Sequence, residues 1–200
     1  MKFVYIYIFM SLNKNTGILI DRAINELRTG RPIVLSEKGN YWIFYNIEHA
    51  TKNVINQFKT IQDKETYLLI TKQKAKQLSP NKLNANIFFQ VSSNFNHSKF
   101  QDLFLNPTNK KNKLNLTNLK ITKSKLFHNY ALELSKNAKL IPSLIFKKIK
   151  SKFNEDIDSV LFDMGLLKFK YSDLVNQNKH ISDSIKLVSS ANVPLPYVED

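Results

Sequence analysis

The stretch Asp21-Arg-Ala-Ile-Asn-Glu-Leu-Arg-Thr-Gly-Arg-Pro-Ile-Val-Leu35 joins a helical pattern directly to a strand pattern. Apolar residues recur on one face of a helix that starts near Gly17, namely Ile20, Ala23, Ile24 and Leu27. Gly30 supplies a stop for this helix, and Pro32 prevents its continuation. The run 33–35 is short and apolar, as buried strands are. This stretch therefore predicts a helix that leads into a sheet.

Helical and strand patterns continue to alternate beyond this stretch. Runs rich in aromatic and β-branched residues predict strands at 41–47, 66–70 and 86–91. Helical spacing predicts helices at about 51–62, 72–78 and 97–105, and a longer one on Leu126, Tyr130, Leu134 and Ala138. Less defined patterns follow: an apolar piece at 142–149, a strand-like run at 160–171 and a helical run at 180–187. The alternation predicts a layered α/β architecture.

The chain divides into three parts. Residues 1–16 begin with an apolar run that lacks a cleavage site and is far below the ~20 residues that span a bilayer. We expect these residues to be poorly ordered, or to be an over-extended gene prediction with translation starting at Met10. Residues 17–150 form the predicted α/β domain, with a solvated linker at 108–120. Residues 151–200 form a partly helical extension with a proline-containing tail.

The net charge of +14 over 200 residues is compatible with a nucleic-acid or anionic-membrane partner. Nearly all basic residues are lysines, however, and arginine occurs only at Arg22, Arg28 and Arg31. Arginine is preferred for bidentate recognition of phosphate or guanine. Frequent Lys, Asn and Ile together indicate an AT-rich genome. The composition therefore favours neither nucleic acid nor a membrane as the primary partner.

The chain contains no cysteine, which excludes disulfides, thiolate zinc sites and cysteine nucleophiles. Its four histidines are far apart and form no H-x-x-x-H or H-E-x-x-H pair: His49, His97, His128 and His180. We therefore expect no metal site and no cofactor. The lack of cysteine is compatible with a reducing cytosol, and we expect a cytoplasmic protein.

Three segments resemble the 3,4-dihydroxy-2-butanone 4-phosphate synthase family. The stretch 21–35 is similar to the family's opening helix and its Gly-[basic]-Pro-apolar strand. Ile47-Glu-His-Ala-Thr51 is similar to its Ala-Glu-x-x-Thr segment at the start of the next helix, and residues 65–78 to a later strand-then-helix stretch. The resemblance implies an α/β (α+β) layered domain with a mixed sheet and a helical C-terminal extension. By analogy with these synthases it also implies a homodimer.

Three later segments resemble a more specific group of proteins. Leu105-Asn-Pro-Thr108 and residues 131–144 look like the degenerate synthase-like half that precedes GTP cyclohydrolase II in some α-proteobacterial, Rickettsia-like fusion proteins. Ala191-Asn-Val-Pro-Leu195 looks like the segment just before the cyclohydrolase half. Over residues 17–200, the resemblance implies a riboflavin-biosynthesis domain that is truncated or split before its cyclohydrolase half. That half would then be its partner.

The chain departs from the synthase pattern where that family holds its catalytic groups. Active synthases carry an acidic Arg-Glu-x-Glu-Gly-Asp loop between the first two strands, whose carboxylates hold Mg²⁺ and help to move protons. Here residues 36–42 form a shorter segment, in which Glu37 beside Lys38 is the only acid. The family's His-Thr-Gly motif is missing, and His97 is the nearest candidate. The zinc-binding cysteines of the cyclohydrolase half are absent too, so we expect no catalytic residues.

A few side chains remain as candidates for a site. Glu37, Glu48, His49 and His97 could serve a diverged sugar-phosphate lyase. The pair Glu48–His49 matches a helix start in the family, where a capping or surface role outweighs catalysis. Arg28 and Arg31 could hold a phosphate. They lie at the carboxyl end of a helix, however, which favours cations and offers no free amides to an anion.

Three functions follow from these patterns. The leading one is a non-catalytic domain that supports, dimerises or solubilises a cyclohydrolase II partner. The second is a diverged Mg²⁺-dependent ribulose 5-phosphate lyase, that is, a dihydroxybutanone phosphate synthase. The third is a basic RNA- or nucleotide-binding module of the threonylcarbamoyl-transfer type, whose fold is related. The Thr-x-Thr strand end and the Lys-x-Arg nucleotide pair of that type are not visible here.

Overall fold

A mixed α/β fold runs through the part of the chain that the computed structural model describes, residues 17–60, 65–78, 85–91, 96–105, 121–149 and 157–173. Its strands are β1 (Ile33–Glu37), β2 (Asn40–Asn46), β3 (Thr66–Ile70), β4 (Ile87–Val91), β5 (Ile121–Lys123), β6 (Ser143–Ile149) and β7 (Leu167–Lys170). Its helices are α1 (17–28), α2 (Lys52–Thr60), α3 (Lys72–Leu78), α4 (His97–Leu105), α5 (Leu126–Asn137) and α6 (Ile157–Asp163).

The strands form a single sheet in the order β5-β4-β3-β6-β2-β1-β7. Neighbouring strands are antiparallel except β1 and β7, which are parallel, so the sheet is mixed. The layered α/β class with a mixed sheet is therefore confirmed. Strand β6 lies at the centre and pairs with both β2 and β3. The sequence had identified it only as an apolar piece.

The sheet separates two hydrophobic cores, because alternate residues of a strand point to opposite faces. In β1, Ile33 and Leu35 pack with α1 and α5, whereas Val34 packs on the other side with α2, α3, α4 and α6. The predicted face of α1 is confirmed: Ile20, Ala23 and Leu27 are buried. Burying a side chain of the size of leucine contributes about 2 kcal/mol.

The β1–β2 connection is a two-residue hairpin turn. Glu37 pairs with Asn40, so that Lys38 and Gly39 alone form the turn. Their φ angles are 47° and 76°, the left-handed values that a type I′ turn requires at both central positions. Glycine adopts this conformation without strain, whereas lysine does so at a small cost.

Two helices end on a glycine in the left-handed conformation. At the end of α1, Gly30 has φ 74°, and the amide of Arg31 donates to the carbonyl of Glu26 at 2.9 Å. At the end of α6, Gly165 has φ 63°, and the amide of Leu166 donates to the carbonyl of Leu161 at 2.9 Å. Both are Schellman endings, in which a bond spanning five residues satisfies a terminal carbonyl. The predicted stop at Gly30 is thus confirmed.

The buried face of α5 differs from the predicted one at its start. Leu126 is 63% exposed, and the core is formed instead by Phe127, Ala131 and Leu134, with His128, Leu132 and Ser135 also buried. Leu126 and Phe127 are both apolar, so the sequence alone could not tell which of the two begins the stripe. The prediction that Leu126 starts the buried face was wrong, and for this reason the burial of His128 was not predicted.

The region after residue 150 differs more. The strand-like interpretation of 160–171 was wrong for its first part, because Ile157–Asp163 is helical and only Leu167–Lys170 forms a strand. That strand pairs with β1, so these residues complete the sheet, although the sequence division placed them in an extension. Strand β5 was not predicted.

The predictions for residues 1–16, 108–120, 180–187 and the tail lie outside the described residues. In the part of the chain that is described, no helix is both long and apolar enough to cross a membrane.

Candidate functional site

The end of the sheet at the β1–β2 turn is where the acidic loop of an active synthase was expected. Glu37 is the last residue of β1 and is half-buried. It lies near Tyr171, whose pKa is raised by partial burial, by Tyr130 and by Glu37 itself. Among the described residues, no group of three or more His, Cys, Asp or Glu is placed to hold a metal ion. The residues at this turn, one carboxylate followed by Lys38, do not fit a Mg²⁺ centre.

Aromatic rings pack together on the α5 side of the sheet. Together they form the aromatic cluster: Trp42, Tyr67, Phe88, Phe127, His128 and Phe146. The ring of Phe88 stacks on Tyr67 at 4.6 Å and on His128 at 3.9 Å between centroids. Such contacts stabilise by about 0.5–1.5 kcal/mol each beyond the area that they bury. The cluster is therefore a packed part of the core.

His128 is the titratable member of the aromatic cluster. It is 2% exposed, and its Nδ1 accepts the backbone N–H of Lys125 at 2.9 Å. The proton of the neutral ring therefore lies on Nε2, which has no hydrogen-bond partner among the described residues. Burial, and then the charge of Lys125, lower the pKa of His128 to about 3. At neutral pH it is an uncharged core residue and a poor proton acceptor.

Glu48, a candidate from the sequence, binds a backbone amide. Its Oε2 accepts the N–H of Ile141 at 2.7 Å, in the connection between α5 and β6. The expected place at a helix start was wrong, because α2 begins at Lys52. There Thr51 is the cap, and its Oγ1 accepts the amide of Val54 at 3.3 Å.

Asn46 completes the same network from the end of β2. It is fully buried, and its Nδ2 donates to the Oγ of Ser135 at 2.6 Å and to the carbonyl of Ile141 at 2.8 Å. Its Oδ1 accepts the amide of Glu48 at 2.8 Å. All of these groups are satisfied internally, as buried polar groups must be. The sequence missed Asn46, because asparagine at a strand end also fits an ordinary turn.

His49 and Arg28 hold the end of α1 against the same connection. The Nδ1 of His49 lies 2.7 Å from the carbonyl oxygen of Arg28, and the guanidinium of Arg28 donates to the carbonyls of Asn137 and Ala138. A cation on the last carbonyls of α5 stabilises that helix end. The backbone also approaches closely here, since a Cβ on Gly30 would lie 2.0 Å from the carbonyl oxygen of His49.

Arg31 and His97 lie apart from this network. Arg31 is exposed and forms a two-point ion pair with Glu26, at 2.6 and 2.7 Å. His97 begins α4 on the other face of the sheet, where it is 7% exposed and lies 5.9 Å from the ring of Tyr45. Burial, and then the charge of Lys59, lower its pKa.

The fold does not bring the candidates together around one ligand. Glu37 lies next to the start of β2 and Glu48 next to its end, which are about 20 Å apart for a strand of this length. Three candidates, Arg28, Glu48 and His49, do share one place. Apart from the 3.9 Å approach of His49 Nε2 to Glu48 Oε1, their partners there are backbone groups of the chain, so the arrangement can hold two connections together.

Comparisons with known proteins give the fold. No protein-family model and no curated protein matches the sequence. Among solved structures, RibBX from A. baumannii, a two-domain 3,4-dihydroxy-2-butanone 4-phosphate synthase, matches with a TM-score of 0.58 and 14% identity over 80% of this chain. The chain spans 57% of that protein.

Two other synthase structures are matched over nearly their whole length. The synthase of Candida albicans matches with a TM-score of 0.58 and 12% identity over 80% of this chain and 96% of its own. A synthase in complex with two magnesium ions matches with a TM-score of 0.58 and 10% identity, over 83% of this chain and 99% of its own. The chain therefore has the fold of the 3,4-dihydroxy-2-butanone 4-phosphate synthases.

Proposed function

We propose that this chain is a non-catalytic domain of the synthase fold that acts in riboflavin biosynthesis by supporting a GTP cyclohydrolase II. The observation that carries the proposal is the β1–β2 turn. A two-residue turn closes the hairpin at the place where active synthases carry their acidic loop, and it contributes Lys38 and Gly39.

The chemistry at this turn argues against a working lyase. Holding Mg²⁺ on a sugar phosphate requires several carboxylate oxygens close together. Glu37 supplies one carboxylate, and the positive charge of the adjacent Lys38 opposes the binding of a cation there. The histidine of the aromatic cluster, His128, stays uncharged at neutral pH and is a poor proton acceptor. Glu48 is engaged by the amide of Ile141.

The positive role that we propose is support of a cyclohydrolase partner. It draws on the resemblance of residues 131–144 and 191–195 to the segments that precede a cyclohydrolase half. In the structure, residues 131–144 comprise most of α5, the start of β6 and the connection held by Glu48 and Arg28. The partner would have to supply the zinc thiolates, since this chain has no cysteine.

An enzyme assay tests the non-catalytic half of the proposal. The full chain is incubated with ribulose 5-phosphate and Mg²⁺, with the Candida albicans synthase as the positive control. We expect no substrate consumption above the blank. Consumption that requires Mg²⁺ and disappears in Glu37→Gln would overturn the proposal and establish the lyase.

The lyase remains the second candidate because the fold matches two synthase structures over 96% and 99% of their length. Two matched variants separate the candidates. In a lyase, Glu37→Gln would abolish turnover without unfolding the chain. Glu48→Gln should instead lower stability in either case, because its carboxylate holds the 138–141 connection.

A binding experiment tests the partner. The chain is co-expressed with the product of a neighbouring reading frame that encodes a cyclohydrolase half. The molar mass of the complex is then measured by light scattering after gel filtration. A complex of both chains with cyclohydrolase activity is expected. If the cyclohydrolase chain is equally active and equally soluble alone, and the two do not associate, the supporting role is wrong.

A further inference from the structure

Acidic and basic side chains are divided unevenly among the helices. On the face of α1 and α5, basic groups pair with acids: Arg31 with Glu26, and Lys136 with Glu133 at 2.6 Å. On the opposite face, α2 and α3 contain lysines and no acidic residue: Lys52, Lys59, Lys72, Lys74 and Lys76. Both helices pack on the same core through Val54, Phe58 and Ala75. Helices α2 and α3 thus contribute only positive charge, whereas α4 and α6 on the same face contain Asp102, Asp158 and Asp163.

Three of these lysines are exposed, Lys52, Lys59 and Lys76, and Lys72 is half-buried. Lys52 and Lys59 are seven residues apart on α2 and share one face, opposite the buried Val54. Lys72 and Lys76 are four residues apart on α3 and also share a face. None of the four forms an ion pair with a residue that the structure describes.

Lys74 is different, because it packs within the protein. Its Nζ lies 5.2 Å from the ring centroid of Phe104, and burial lowers its pKa. It joins α3 to α4, so we leave it out of the surface. The lysine face is therefore defined by Lys52, Lys59, Lys72 and Lys76.

Helices α2 and α3 start at the same end of the sheet, where β2 and β3 finish. Strands β2 and β3 both pair antiparallel with β6, so they run in the same direction, and α2 and α3 follow their ends. The first lysine of each helix therefore lies towards that end of the sheet. The second lysine lies farther along, about 10 Å from the first on α2 and about 6 Å on α3. Four like charges thus lie on two helices that pack on the same core.

We propose that the lysine face binds the phosphodiester backbone of double-helical nucleic acid without reading its sequence. Lysine supplies phosphate contacts, and the remaining outward positions carry amides that can also contact phosphates: Asn53, Asn56, Gln73 and Gln77. Neither helix contains arginine, the usual bidentate reader of base edges. The described part of both helices also exposes no aromatic side chain on which a single strand could stack.

The size of the effect follows from counterion release. Four phosphate contacts predict that the logarithm of the binding constant falls with the logarithm of salt concentration with a slope of about −3.6. Raising the salt from about 50 to about 200 mM should then weaken binding about 150-fold.

Fluorescence anisotropy of the full chain with a labelled duplex tests the proposal. The face variant replaces Lys52, Lys59, Lys72 and Lys76 by glutamine. The matched control replaces four exposed basic residues on the other face by glutamine: Arg22, Lys125, Lys136 and Lys139. Both variants lose the same charge, so only the position of the charge differs. Trp42 emission and circular dichroism verify the folding of each, and a double variant, Lys52→Gln with Lys76→Gln, replaces any that does not fold.

We expect the face variant to lose at least about 100-fold in affinity at low salt and most of the salt slope, with the control within a few-fold of the parent. Duplex DNA and duplex RNA are measured in parallel, which identifies the source of the phosphates. Equal losses in both variants would reduce the effect to net charge and overturn the proposal. It is equally overturned if the parent binds neither duplex, or binds a single strand, an acidic polypeptide or anionic lipid vesicles more tightly than a duplex.

Discussion

Replacing His128 by phenylalanine should remove about 2 kcal/mol of the acid sensitivity of the fold between about pH 7.5 and about pH 5. Burial and Lys125 lower the pKa of His128 from 6.5 to about 3 in the folded chain. In the unfolded chain the imidazole takes up a proton as the pH falls through 6.5, whereas in the folded chain it stays neutral until about pH 3. The unfolded state binds more protons in this window, so the free energy of unfolding falls as the pH falls.

The magnitude follows from these two pKa values. At about pH 7.5 both forms are neutral, and His128 contributes almost nothing to the pH dependence. A pH of about 5 is 1.5 units below the pKa of the imidazole in the unfolded chain, whereas the imidazole of the folded chain is still neutral at this pH. Protonation of the unfolded chain then lowers the free energy of unfolding by about 2 kcal/mol. This is a large share of a typical stability of about 5–15 kcal/mol.

Urea unfolding at the two pH values measures the effect, with Trp42 as the reporter. Trp42 is the only tryptophan, and its ring lies 6.2 Å from that of His128. Phenylalanine keeps the stacking but loses the bond to the Lys125 amide, which costs about 1 kcal/mol at either pH. The parent should therefore lose about 2 kcal/mol more than His128→Phe between the two pH values, while any contribution of His97 is common to both.

A neighbouring core substitution is the control. Phe127→Leu should lower stability by about 1 kcal/mol at both pH values and keep the acid sensitivity of the parent. If His128→Phe loses as much stability on acidification as the parent, then His128 is not a buried neutral residue. The description of the aromatic cluster would then be wrong.

Three further substitutions test the connections between elements by their effect on the free energy of unfolding. Glu48→Ala should cost about 2–3 kcal/mol, because it leaves the amide of Ile141 unsatisfied. Glu48→Gln should cost less, because its amide oxygen still accepts this hydrogen bond. Equal costs for the two variants would show that the bond contributes nothing. Gly30→Ala should cost more than about 3 kcal/mol, since its Cβ would meet the His49 carbonyl. Gly39 has a similar φ but lies in open space, so Gly39→Ala should cost only about 1 kcal/mol. Similar losses in the two variants would contradict the close approach at Gly30. Lys38→Asn should stabilise the hairpin by about 0.5 kcal/mol, because Asn-Gly suits a type I′ turn, and a loss of stability would argue against that turn.

Elements with local signals were predicted correctly from the sequence. The strand Thr66–Ile70 and the helix His97–Leu105 are confirmed with the predicted bounds. Thr66–Ile70 has a dense run of apolar and aromatic residues, and a capping threonine follows it directly. At Gly30, glycine and proline mark the helix end without reference to the rest of the chain.

Features that depend on distant parts of the chain could not be predicted. The central place of β6 and the pairing of β7 with β1 are set by packing between segments far apart in sequence. The same holds for the site, because Glu48 contacts Ile141, 93 residues away. Within α5, the buried face begins one residue later than predicted. Leu126 is therefore exposed, whereas His128 is buried. Periodicity does not distinguish registers that begin on adjacent apolar residues.

Calorimetric titration of Mg²⁺ into the full chain tests the central claim most directly, namely that the hairpin closed by Lys38 and Gly39 supplies too few carboxylates for a metal centre. We expect no saturable binding at millimolar Mg²⁺, under conditions in which the synthase whose structure contains two magnesium ions binds the metal. Saturable binding of one or more ions per chain that is lost in Glu37→Gln would contradict the claim. It would restore the lyase as the function of this fold.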